Sequence, residues 1–303
     1  MKKQTRADLA LVGVTLIWGT TFVVVKNALD DISPILFIAA RFSLAAVVLA
    51  LIYGKSLRNK GLRRRDWLAG LLAGCLLYAA YVFQTIGLGL TTPSKSAFLT
   101  SLSIPMVPLA SSLVYKVRPR LLEGAGILIA SLGMVLMTFP HLSGTAGFDM
   151  SRGDFLTFLC AVLFALHIVV VGHFSPLIGF ESLAVIQVGA VAVLALSTFR
   201  FGETMRLRLT PGAITAVVVT GLMATALAFT TMAWAQQYTS PTRAALIFAL
   251  EPVAAWGTSW LIAGETMGNR GKAGAGLILA GILLVELRIG NRAVKRVTPE
   301  EHH

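Results

Sequence analysis

The segment IFALEPVAAW (247–256) puts a carboxylate, Glu251, into apolar sequence directly before Pro252. In hydrocarbon an acid costs about 2.5 kcal/mol or more unless a cavity or partner relieves it. Such a group binds a cationic part of a substrate, carries a proton, or bonds to neighbouring helices and holds a bend. Two bases raise a related question. TTPSKSAF (91–98) and TSPTRAAL (239–246) each open with a capping residue, Thr92 or Ser240, followed by proline. This is a helix-start signal, so Lys95 and Arg243 fall in first turns, beside the positive dipole end. They either snorkel to lipid headgroups or line two mouths of a pathway and attract a carboxylate.

Other polar groups form stripes. Tyr78, Tyr81 and Gln84 recur at i, i+3 and i+6, and Ser96, Thr100 and Ser103 at i, i+4 and i+7. Each set shares one helical face. Hydroxyl stripes glue helices together in membranes; two stripes on consecutive helices also furnish a polar cavity. Trp18, His167 and Trp234 lie within apolar runs, where a tryptophan packs a core or faces a ligand. A histidine there is a bonded core residue or a proton relay. Arg41 and Lys26 are costly near the ends of such runs, and Arg41 is expected to pair internally for structural reasons. No catalytic or metal constellation accompanies these groups. H-E-x-x-H, Walker A, G-x-S-x-G and Cys/His metal spacings are all missing from the sequence, so neither a metal nor a cofactor is expected.

The elements that must position these residues are membrane spans. Of 303 residues 56% are hydrophobic and 13% charged, with mean hydropathy +0.77. A soluble chain carries about 25% charged residues. Charge-poor runs of roughly twenty residues recur throughout. They are read as ten spans at 8–28, 34–53, 67–90, 93–115, 120–139, 154–173, 181–199, 211–236, 241–263 and 271–289. Glu251 then lies about 15 Å into the ninth, near the middle of a core about 30 Å thick. The net charge of +12 sits mostly in short loops, which argues topology rather than a nucleic-acid partner. With the N-terminus inside, sixteen bases fall on the cytoplasmic side and six on the other, so both termini are expected in the cytoplasm. Cys75 and Cys160 fall inside spans, and no disulfide is expected.

The chain repeats itself at an offset of about 147 residues. Asp8 matches Asp154, Trp18 matches Phe164, Arg41 matches Gln187 and Pro105 matches Pro252; GAGILIASLG (124–133) matches GAGLILAGIL (274–283). Five spans per half is an odd number, so the second half enters the membrane inverted. Inverted repeats build alternating-access carriers with a midplane site between the halves. The expected fold is an all-α polytopic membrane protein of ten transmembrane helices in two inverted five-helix repeats, 1–146 and 147–290, with a cytoplasmic tail at 291–303.

With LIWGTTFVVVK (16–26), PILFIAARFSLAAVVL (34–49) and ALEPVAAW (249–256), the chain resembles EamA-type transporters of the drug/metabolite transporter superfamily. The likeness runs through both halves. It departs at Arg118, which stands where the second half has the family-like Glu265. The resemblance implies a secondary carrier in a bacterial inner membrane, exporting amino acids, related metabolites or toxic organic compounds, with a proton as a possible coupling ion. An intramembrane enzyme on a lipid or lipid-linked substrate is the alternative. It needs paired acids or histidines near one interface, whereas the acids here are scattered. The expected substrate-contacting set is Trp18, Tyr78, Tyr81, Gln84, Lys95, Ser103, His167, Trp234, Arg243 and Glu251.

Overall fold

The computed structural model describes residues 3–91, 93–115, 121–138, 151–263 and 268–289. In chain order the helices are α1 (Lys3–Ala28), α2 (Pro34–Lys60), α3 (Arg64–Leu90), α4 (Pro93–Ser101), α5 (Ser103–Tyr115) and α6 (Leu121–Thr138). The second half follows with α7 (Arg152–Ile178), α8 (Phe180–Gly202), α9 (Pro211–Gly221), a π-helical segment (Leu222–Leu227), α10 (Ala228–Ala235), α11 (Pro241–Phe248), α12 (Glu251–Ala263) and α13 (Asn269–Ile289). Ten spans result: α4 with α5, α9 with α10, and α11 with α12 are single spans that change geometry inside the bilayer. Seven spans among the described residues are long and apolar enough to cross a membrane on length and composition alone. Large apolar side chains such as Leu51 and Leu113, about 80% exposed, face outward as a lipid-exposed surface requires.

Proline sets both breaks in the same register. Pro105 and Pro252 lack an N–H and crowd the carbonyl four residues back. Those positions are Ser101 and Phe248, where α4 and α11 end. Tight 3.1–3.2 Å bonds bridge the interruptions, from Leu102 N–H to Leu99 O and from Leu250 N–H to Ile247 O. The break at Phe248 follows from the sequence reading. Its copy at Ser101 and the π segment were not foreseen.

The halves interlock symmetrically. α2 packs along α8, and α6 along α13; α3 lies against α7 and α8, and α1 against α10 and α12. At the α6–α13 crossing a Cβ on Gly133 would lie 2.5 Å from Gly274 O, and one on Gly281 2.6 Å from Gly126 O. Only glycine lets the two backbones approach this closely. Gly70 and Gly74 meet Ile186 and Ala190 of α8 in the same way.

Loops obey the repeat as well. On the face where α1 begins, Lys60 Nζ donates to Ile178 O at 2.6 Å and to Ser182 Oγ at 3.2 Å. On the opposite face Arg206, 146 residues later, donates to Leu29 O. There the 29–33 loop also pairs with 206–208 through Ser33 N–H to Arg206 O and Arg208 N–H to Asp31 O. Glu203 takes the first N–H groups of α2, from Ile35 and Leu36, at 2.9 Å each. The tail from 291, and Arg118 and Glu265, lie outside the described residues.

Candidate functional site

Where α1, α2, α3, α4, α5, α7, α10, α11 and α12 converge they leave a cavity. It holds about 740 Å³ of empty space, part of it continuous with the outside, of which about 70 Å³ admits the centre of a water-sized sphere. At 10–15 Å³ per water that is room for about five waters, the scale of a small organic solute. Along α1 the wall runs from Trp18 to Val25, and along α3 from Tyr81 to Leu88. The cavity therefore extends from mid-span toward the face where α1 ends.

Its middle is an aromatic cage. Trp18 Nε1 donates to Ala224 O of the π segment at 2.9 Å, and its ring sits 5.5 Å from Phe229 and 5.2 Å from Phe248. Tyr81 meets Phe164 and Phe229 edge-on at 5.5 and 6.1 Å. Phe164 is the repeat partner of Trp18, so the two halves contribute matching aromatics to one chamber. Polar groups interrupt the cage. Gln84 Nε2 donates to Thr100 Oγ1 at 3.2 Å, and Ser103 opens α5 on the same wall. His167, 1% exposed, is 2.9 Å from Gln187 Oε1 through Nε2.

Glu251, the first residue of α12, is the acid on the wall among the described residues. A Cβ on Gly19 would come within 2.8 Å of its carbonyl oxygen, so α1 is pressed against the break itself. None of the hydrogen bonds or ion pairs among the described residues involves the Glu251 carboxylate. Among the described residues it thus has none of the helix-bonding partners that a purely bend-holding role requires.

Three expected residues stand elsewhere. Tyr78 turns its hydroxyl to Thr198 of α8. One turn before Tyr81 on a 100°-per-residue helix, its face has rotated off the wall. Trp234 meets Tyr238 edge-on with ring centres 5.6 Å apart, near the end of α10 and below the chamber. Arg243 neither snorkels nor lines the cavity. It is 8% exposed and pairs with Asp8 at 2.8 Å, joining α11 of the second half to α1 of the first. The side chain of Lys95 lies outside the described residues.

Sequence reasoning also missed wall residues. Arg41, expected to be structural, is on the wall with Thr21, Phe229 and Met232. The cost of a guanidinium inside the end of an apolar run was the available signal; it marked the residue without giving its direction.

Comparison with known proteins fixes the family. Residues 5–139 and 151–287 each match the EamA-like transporter family. The chain belongs to that family. An uncharacterized transporter of Archaeoglobus fulgidus is 34% identical over 95% of this chain and 88% of its own length. The uncharacterized inner membrane transporter YedA of Escherichia coli is 25% identical over 92% and 90%, and YoaV of Bacillus subtilis 24% over 96% and 100%. One solved crystal structure superposes with TM-score 0.76 at 19% identity, covering 93% of this chain and 97% of that one; at that identity the likeness concerns the fold. This EamA chain is a multi-pass membrane transporter with a duplicated five-span unit.

Proposed function

We propose that the protein is a secondary carrier that exports amino acids or related small organic solutes from a bacterial cytoplasm by alternating access. One observation carries the reading: a solute-sized chamber between inverted halves has polar groups at mid-span, and its wall continues toward the face where α1 ends. Below the chamber Asp8 and Arg243 join the halves, Gln236 Nε2 donates to Ile168 O at 3.1 Å and Gln237 Nε2 to Ser175 O at 3.0 Å. Toward the other face the wall continues to Val25 and Leu88, where Lys26 Nζ is spread over the carbonyls of Leu88, Gly89 and Thr91 at 2.8–3.0 Å. With both termini cytoplasmic, this is the outward-facing half of the cycle. Opening the sealed face requires the Asp8–Arg243 pair to part. Glu251 is the group that meets a substrate ammonium or carries a coupling proton.

Counterflow in proteoliposomes tests the proposal. Vesicles preloaded with an unlabelled amino acid should accumulate its labelled form faster than protein-free vesicles. No counterflow with any amino acid, polar metabolite or cationic organic compound would overturn the carrier reading.

A further inference from the structure

Arg41 is 3% exposed and on the chamber wall. Its Nε and Nη2 both donate to a single hydroxyl, Thr225 Oγ1, at 3.0 and 2.8 Å. That hydroxyl in turn donates to Thr220 O at 2.8 Å, the five-residue reach of the π segment. Aromatic faces surround the guanidinium, with Tyr81 4.9 Å, Phe42 5.4 Å and Phe37 6.0 Å from its carbon. Thr225 takes two of its five donors and the Tyr81 hydroxyl interacts with a further part of the group, while no carboxylate among the described residues pairs with it.

A buried guanidinium without a counter-ion is costly, and rings recover part of that cost. Packing does not demand the charge. At the repeat-related place the second half has neutral Gln187, fully buried and bonded to His167. Thr21 and Arg41 of the first half stand at the positions of His167 and Gln187 in the second, so the fold closes here with an amide as well as with a cation. The cation's remaining use is toward the chamber, which has one other charged wall residue among those described, Glu251.

We infer that Arg41 is the anion-recognising pole of the binding chamber: it takes the carboxylate of a zwitterionic solute whose ammonium group lies toward Glu251. The inference rests on the carrier reading above and narrows its substrate class. A fork of N–H donors fixed by Thr225 suits a planar carboxylate, which a lysine would hold only as a point charge. The π segment presents the pole, because the turn that bonds Arg41 also bonds the indole of Trp18 through Ala224 O.

The test uses purified full-length protein in detergent and in proteoliposomes. The probes are L-amino acids, their methyl esters, propionate and propylamine, read by thermal shift and by competition in counterflow. Wild type should bind its best amino acid about tenfold to a hundredfold more tightly than the corresponding ester, as expected for a charge-assisted pair. Arg41→Gln should bring that ratio close to one and abolish protection by propionate while keeping propylamine protection. Arg41→Lys, which retains a cation should the Gln variant not fold, should keep a reduced preference for the acid. Equal binding of acid and ester by wild type, or an unchanged ratio in Arg41→Gln, overturns the inference. Silence from every carboxylate does so too. If the same vesicles still exchange an amine or a neutral solute, the carrier reading survives that loss.

Discussion

The fourth and ninth spans are broken alike, yet they carry different chemistry at the break. Pro105 and Pro252 end the preceding helices at Ser101 and Phe248, each four residues back. In the first half the residue matching Glu251 is Ile104, 1% exposed and packed in the core. An interruption of the same shape thus forms with no carboxylate, so proline makes the bend and the acid is not needed to hold it. The same contrast recurs at Arg41 and Gln187. Where the repeats agree, as at Gly133 and Gly281 or Lys60 and Arg206, the residues build the fold. At Arg41 and Glu251, where they differ in charge, the charged copy lies on the chamber wall.

The comparison can be broken most sharply at the inter-half seal. Asp8→Asn removes the buried ion pair with Arg243 and should cost about 3–5 kcal/mol of stability. Thermal unfolding in detergent measures this. Asp8→Asn with Arg243→Gln should recover part of the loss and make a cysteine near Trp234 more reactive from the face where α1 begins. A double variant as protected there as wild type would mean that the pair is no gate.

Next in size is Glu251→Gln. Nearly isosteric and remote from any described bonding partner, it should leave the unfolding temperature within a few degrees of wild type. If Glu251 carries the coupling proton, it should lower transport driven by a pH gradient by about a hundredfold, in the range of a lost proton-transfer group, while sparing exchange at equal pH. Loss of folded protein in proportion to lost transport would return the acid to an architectural role and undo its contrast with Ile104.

Smaller effects separate wall from scaffold. Trp18→Phe removes the bond to Ala224 O, about 1 kcal/mol, and should weaken substrate binding more than stability. Tyr78→Phe removes the bond to Thr198 at a similar or smaller cost and should leave transport unchanged. Equal transport defects in the two would merge the regions held apart here.

Much of this was legible beforehand, for physical reasons. Span number follows from bilayer thickness, and the inverted duplication from an odd count and a constant offset. The Phe248 break follows from a missing N–H. The wall was harder. Tyr78 and Tyr81 share a broad helical face, and period alone cannot say which of two adjacent partners each will meet. Arg243 reads as a surface base because its acid, Asp8, is 235 residues away. Phe229 and Phe248 are apolar residues in apolar spans, and only three-dimensional convergence marks them out. Trp18 and Phe164 were linked by the repeat itself, an aromatic pair whose meaning emerged once both faced one chamber.

The wide turn at Leu222–Leu227 has a further consequence, for insertions and deletions. A π segment holds one residue more than the α-helix it interrupts, so everything from Ala228 to Ala235 is offset in phase from Pro211–Gly221 by about 100°. Phe229 and Met232 owe their place on the wall to that offset. Substitutions within the segment, Thr225 apart because it holds Arg41, leave the backbone phase as it is. Loss of a single residue there would relax the turn to α, rotate the lower half of the span and carry both side chains away from the chamber, while hydropathy and span count stayed as they were. Deleting one residue there should therefore disturb the chamber more than replacing one away from Thr225.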